Sequence, residues 1–424
     1  MTRAIRSPPD DGPVTARRGQ MALLLTSVFA VMLGYGVTLT VLPYYTASVH
    51  RLSGISHDTL VVHIGLLTGV YALAQLVAGP VIGRVTDRRG RRPVALAGLV
   101  GVGVTQIAFG LVSSLWWLYF LRVVGGVAAS LLTVAASAMI ADWTDEQTRP
   151  RGMALFGTAV SLGIVAGPVL GIVLNGASIG VGDVRLDGYS MPFVVAGLIA
   201  MVAAALLGWG LAESRSSRGP ANGRPTVGRG RLQRLGPSLV LVVAAQFGLA
   251  LFEGTFVLYA RDRFEFTPAQ TTQAFLVCGL VMAVLQLVAV GPLQRVIAPR
   301  SQITVGFLAM AIGIAALLAV HSRGPVLVGI AVLATGAALI TPNLAAVVTQ
   351  NSPETFGASL GMKSSASSLG QFLGPVVGGS LLAWRLASPY ALAAVVMSGS
   401  GLASAFAARS SRRGSQTGAH TNSG

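Results

Sequence analysis

Twelve long apolar runs dominate this sequence and leave few folds open to it. A helix that crosses a bilayer needs about 20 consecutive, mostly apolar residues. Runs of that kind cover residues 21–45, 60–83, 93–112, 115–141, 152–175, 191–211, 237–260, 271–294, 302–320, 324–348, 357–383 and 389–408. Only 10% of the residues are charged, where a soluble domain carries about 25%. That charge deficit is too large for a surface facing water. The chain therefore reads as an all-α membrane protein that crosses a lipid bilayer twelve times.

The formal net charge of +16 taken alone would suit a nucleic-acid binder. The arginines, however, lie in short loops between apolar runs, so no nucleic-acid partner is expected. With the N-terminus placed in the cytoplasm, the cytoplasmic segments hold 23 of the basic residues and the outer segments six, with Arg122 alone inside a span. The positive-inside rule then puts both termini on the cytoplasmic face of the cell membrane. The first twenty residues, with Pro8, Pro9, Asp10 and Asp11, read as a polar tail and not as a signal peptide. The single cysteine, Cys278, rules out an intrachain disulfide or a cysteine-based metal site. No metal and no cofactor is expected.

One polar stretch, 212–236, is rich in Gly, Pro, Ser and Arg and has no apolar face to bury. It reads as a flexible cytoplasmic linker. The expected organisation is a tail over 1–20, a six-helix bundle over 21–211, the linker, a second six-helix bundle over 237–408 and a tail over 409–424. The halves repeat. Ser161-Leu162-Gly163 through Gly167-Pro168-Val169-Leu170-Gly171 in span five matches Ser368-Leu369-Gly370 through Gly374-Pro375-Val376-Val377-Gly378 in span eleven. Gln75-Leu76-Val77-Ala78 recurs as Gln286-Leu287-Val288-Ala289, with Gly-Pro following in both. Parallel repeats of this kind are a transporter signature.

Between spans two and three lies a charged knot, Gly83-Arg84-Val85-Thr86-Asp87-Arg88-Arg89-Gly90-Arg91-Arg92-Pro93. It is similar to the G-x-x-x-D-R-x-G-R-R signature of the major facilitator superfamily. Leu121-Arg122-Val123-Val124-Gly125-Gly126 in span four resembles that family's R-x-x-x-G motif. Gly163, Gly167, Pro168 and Gly171 resemble its antiporter motif. Over about 21–408 the chain looks like a twelve-span drug:proton antiporter of the tetracycline and multidrug exporter type. The resemblance implies two pseudo-symmetric six-helix bundles that rock about a central cavity.

The resemblance also implies a gate latch, in which Asp87 docks near the start of span eleven and Asp142 partners a loop arginine. A plain positive anchor is the competing reading of the same loop. Gly90 supplies a sharp turn, and Arg88, Arg91 and Arg92 are expected near the cytoplasmic lipid surface. The second-half counterpart, Gly291–Arg300, has no acid. For span five the resemblance implies an interface between the halves. The four-residue glycine spacing, repeated in span eleven, favours close helix packing instead.

Only Arg122 and Glu253 are charged residues placed well inside spans. An isolated charge in hydrocarbon costs about 3 kcal/mol on insertion scales, so each needs a cavity or a partner. Glu253 is read as the carboxylate that takes the coupling proton or a cationic substrate, and Arg122 as the cation that tunes it. A structural role remains open for both. Related exporters often carry an acid in span one, but Phe29–Leu33 has none, which moves the weight to Glu253. Tyr35, Gln246 and Asn343 complete the candidate cavity, with Gln106, Gln286 and His63 as helix-contact residues. Gly357–Gly361 matches G-x-S-x-G but no strand precedes it, and no G-x-x-x-x-G-K-[ST] phosphate loop occurs. The chain is therefore expected to be no enzyme. It reads as a monomeric, proton-coupled exporter of an amphipathic drug-like molecule. The alternative is a proton-coupled transporter of a hydrophilic metabolite or sugar, working in export or uptake.

Overall fold

The computed structural model describes residues 14–51, 57–112, 114–144, 148–174, 179–181, 184–186, 188–211, 229–289, 293, 296–350 and 356–420. Within a bilayer no water is present to bond the backbone, so each apolar run closes its own hydrogen bonds as a helix. Among the described residues twelve long helices result: α1 Val14–Arg51, α2 His57–Arg89, α3 Arg91–Leu111, α4 Leu115–Trp143, α5 Arg149–Val173, α6 Met191–Gly210, α7 Arg229–Phe264, α8 Pro268–Val284, α9 Pro299–Ala319, α10 Arg323–Gln350, α11 Phe356–Trp384 and α12 Ser388–His420. A π-helical turn, Leu285–Ala289, continues α8. Among the described residues, eleven helices are long and apolar enough to cross a membrane. The twelfth, α11, occupies the place in the second half that α5 holds in the first.

Several helices outrun the apolar runs. α1 starts inside the expected tail, α7 starts inside the expected linker, and α12 continues through most of the expected C-terminal tail. Once a helix has nucleated, each further residue adds a hydrogen bond, and Arg, Ala and Gln continue a helix well in water. Residues 212–228 of the linker lie outside the described residues. A second departure is a short antiparallel hairpin between α5 and α6. Its strands β1 (Ile179–Val181) and β2 (Val184–Leu186) pair Ile179 with Leu186 and Val181 with Val184.

The helix pairings form two matching sets. In the first half α1 packs on α5 and α6, α3 on α4 and α6, and α2 on α4. In the second, α7 packs on α11 and α12, α9 on α10 and α12, and α8 on α10. Adding six to each first-half label gives its second-half equivalent. The halves meet through α2 against α11 and α5 against α8, pairs that the same operation exchanges. The molecule thus has a pseudo-twofold axis between its halves.

The core follows this plan unevenly. One buried cluster joins Val37, Tyr45 and Ile64 of the first half to Phe252, Phe256 and the rest of the second half. A separate cluster, with Ile82, Val94, Met139 and Ile140, fills the arginine-loop end of the first half. The halves therefore share a core at the end remote from the loop. Trp116, Trp117 and Trp384 project from the remote end and Trp209 from the loop end, all strongly exposed. Tryptophans at both ends of a bundle match the aromatic belts of a bilayer interface.

Candidate functional site

The arginine loop is a clamp within the first half. Gly90 takes φ 88°, a conformation open to glycine, between the ends of α2 and α3. The turn aims the two arginines that follow it inward. Arg91 forms an ion pair with Asp142 at the end of α4, and its Nη1 donates to the Ala138 carbonyl at 2.7 Å. Arg92 donates to the Gly208 carbonyl of α6. The sequence places Arg91 and Arg92 at the lipid surface. The structure instead draws both into the protein, where Arg91 meets an acid and both arginines reach backbone carbonyls. Arg88 and Asp87 are exposed. Gly83 faces open space, with no described atom within 4 Å of an added Cβ. Residues 351–355, which lead into α11 where Asp87 would dock, lie outside the described residues.

The glycine motif of α5 packs against α1 of its own half. A Cβ on Gly163 would lie 2.6 Å from the Phe29 carbonyl, and one on Gly171 would lie 2.8 Å from Val41 Cγ2. One on Gly167 would collide with the Gly36–Val37 backbone. The repeat is faithful: Gly370, Gly374 and Gly378 of α11 sit in the same way against α7. Pro168 and Gly171 also line a crevice shared with Pro268, Thr271 and Thr272 of α8, at the remote end. On the α5–α8 side the halves touch directly where Gly279 of α8 meets Val165 of α5.

Arg122 is 4% exposed. Gly126, one turn further along α4, lets that helix close on the Tyr71 backbone of α2, which brings the guanidinium against two rings. Its Cζ lies 5.0 Å from the Phe109 ring centre and 5.4 Å from that of Tyr71, within cation–π range. Nε and Nη2 make no hydrogen bond among the described residues. The residue lines a cavity with room for about one water, lined also by Tyr35, Thr105 and Gln106.

Glu253 lies on α7, half-buried. Its neighbours Phe252 and Phe256, four apart and therefore on one face, stack on each other at 4.8 Å and on Phe275 of α8. Gly254 abuts Pro375 of α11. No hydrogen bond or ion pair holds Glu253 among the described residues. Arg122 and Glu253 do not pair. Tyr35 of α1 stacks on Tyr71 at 5.8 Å and lies within electrostatic reach of both charges. Cys278 of α8 is within reach of Glu253 as well.

The remaining candidates divide. Asn343 is drawn out of the expected cavity: it is fully buried and donates to Gln302 Oε1 at 3.0 Å and to the Leu339 carbonyl at 2.7 Å. An amide buried in an apolar bundle takes the nearest acceptors, and here they tie α10 to α9. Gln246 lies at the α7–α11 contact beside Gly370, and Gln286 faces Gly157 across the halves. His63 Nδ1 contacts the Tyr119 hydroxyl at 2.8 Å. Sequence reasoning missed Tyr71 and Phe109. Tyr71 stands four residues before the repeated Gln75, one turn away on the same face, and that spacing was its available signal.

Comparison with known proteins agrees with this fold. The family model described as Major Facilitator Superfamily matches residues 24–289 and 238–422. The chain is 31% identical over 372 residues to the class G tetracycline resistance protein of Vibrio anguillarum, covering 84% of this chain and 88% of that one. It is 27% identical over 384 residues to multidrug resistance protein 2 of Bacillus subtilis, covering 88% and 92%. Among solved structures, the human organic anion transporter MFSD10 superposes with a TM-score of 0.74 at 21% identity, over 93% of this chain and all of that one. A bacterial homolog of the lysosomal transporter Spinster, inward-facing and unoccupied, superposes with a TM-score of 0.66 at 17% identity. With both halves matched by the family model and the repeat built into its helix pairings, this chain belongs to the major facilitator superfamily.

Proposed function

We propose that the chain is a secondary active exporter that exchanges protons for an amphipathic, drug-like molecule by alternating access. The observation that carries this is Glu253, an acid with no ion-pair partner among the described residues, on a helix that faces the opposite half across Tyr35. A carboxylate so placed takes up a proton or a cationic substrate, and the two occupants exclude one another. Arg122 sets the field on the other side of Tyr35. The names of the multidrug and tetracycline resistance relatives support a drug as the substrate. The shared core at the remote end, with a separate core at the loop end, supports an arrangement closed to the outside. Both termini then lie in the cytoplasm, as the 23 to 6 distribution of basic residues favours. The exporter works as a monomer in the cell membrane, and the arginine loop latches its inner side through Asp87.

The test uses inside-out membrane vesicles with an imposed pH gradient, acid inside, and ethidium as the probe. Wild-type vesicles accumulate the dye until the gradient is collapsed. Glu253→Gln loses gradient-driven uptake. Wild-type rate and gradient dependence in Glu253→Gln would remove Glu253 from the coupling step.

A further inference from the structure

We propose that the cavity at Arg122 is a binding site for a small monovalent anion of halide size. The guanidinium is almost wholly buried, yet two of its three nitrogens have no hydrogen-bond partner among the described residues. No carboxylate of the described residues pairs with it. The groups facing it are Tyr71 and Phe109, which present ring faces, and Tyr35, Thr105 and Gln106, which are neutral. Ring faces and dipoles solvate a cation only in part, and a buried charge without a counter-charge is strongly disfavoured. Arg122 itself lines the cavity.

Size and donors set the chemistry of the occupant. The space admits one body about as large as a water, which excludes a carboxylate-bearing organic molecule. A water would satisfy hydrogen bonds but leave the charge uncompensated, whereas a halide supplies both. Thr105 cannot act as a donor there, because its hydroxyl is spent on the Gly101 and Val102 carbonyls at 2.8 and 3.1 Å. The donor is therefore the guanidinium, with Tyr35 and Gln106 lining the same space. The site belongs wholly to the first half and does not depend on which molecule is exported.

The test is the melting temperature of the purified full-length protein in potassium chloride against potassium gluconate at equal ionic strength. Bromide anomalous diffraction from crystals of the same protein provides a second, direct readout. Wild type is expected to gain several degrees, saturably, in chloride, and to show a bromide peak beside Arg122. Arg122→Gln is expected to melt at one temperature in both salts. Should that variant fail to fold, Tyr35→Phe keeps the ring stack and removes one hydroxyl. It is expected to weaken the apparent chloride affinity about tenfold, the usual loss for a hydrogen bond to a charged group. Equal melting of wild type in both salts overturns the site. So does a saturable chloride effect that persists in Arg122→Gln, an unchanged affinity in Tyr35→Phe, or bromide found elsewhere but not at Arg122.

Discussion

Arg91, the second residue of the turn after α2, is ion-paired with Asp142, the penultimate residue of α4. The side chains are 12% and 27% exposed, so the pair lies between the surface and buried limits. Breaking it with Asp142→Ala should cost about 1–3 kcal/mol, between the values for exposed and buried pairs. Differential scanning fluorimetry in detergent reads the loss. The swap Arg91→Asp with Asp142→Arg should recover only part of it, because Arg91 also donates to the Ala138 carbonyl and an aspartate cannot.

Asn343 allows a clean separation of structure from transport. Its amide joins α10 to α9 through Gln302. Asn343→Leu should lower stability by about 1 kcal/mol, a typical value for a hydrogen bond between helices in a membrane. The range of exported compounds should stay unchanged. A changed substrate profile at wild-type stability would return Asn343 to the cavity.

The glycines of the two motifs should respond in opposite ways to a single methyl group. Gly167→Ala drives a Cβ into the α1 backbone at Gly36 and Val37, and overpacking of that kind costs about 1–3 kcal/mol. Gly83→Ala meets no described atom within 4 Å and lies inside α2, so it should raise stability by about 0.5–1 kcal/mol. Melting temperatures of the two variants, compared with wild type, check both statements.

These cases show which parts of the molecule the sequence could express. Apolar run length alone specifies a spanning helix, so the twelve helices were legible, as was their duplication through the repeated glycines. Arg122 and Glu253 were legible because a charge inside an apolar run has few explanations. Tyr71 and Phe109 were not, since an aromatic residue in such a run looks the same whether it faces a guanidinium or lipid. Asn343 posed the converse difficulty. A lone amide gives one signal for a cavity and for a contact with Gln302, and only the packing of α9 on α10 distinguishes them. The partner of the α5 glycines was hidden for a similar reason. Spacing by four marks a face for close approach but does not say which helix fills it, and α1 does.

Val165 of α5 and Gly279 of α8 offer a direct test of movement between the halves. A Cβ on Gly279 would lie 3.2 Å from Val165 Cβ, close to the 3.5–4.5 Å typical of a disulfide. The crowding atom there is Val165 Cγ2, which a cysteine at 165 removes. In a Cys278→Ala background, which deletes the one native thiol, the pair Val165→Cys and Gly279→Cys should therefore cross-link under mild oxidation. Proteolytic cleavage within residues 212–228, followed by electrophoresis without reductant, reads the bond as two halves that stay together. If the halves must rock about this contact during each cycle, oxidised protein should export no dye, and reductant should restore export to the level of the unoxidised variant. Full export by cross-linked protein would mean that α5 and α8 stay in contact here throughout the cycle, with the opening confined to the α2–α11 side.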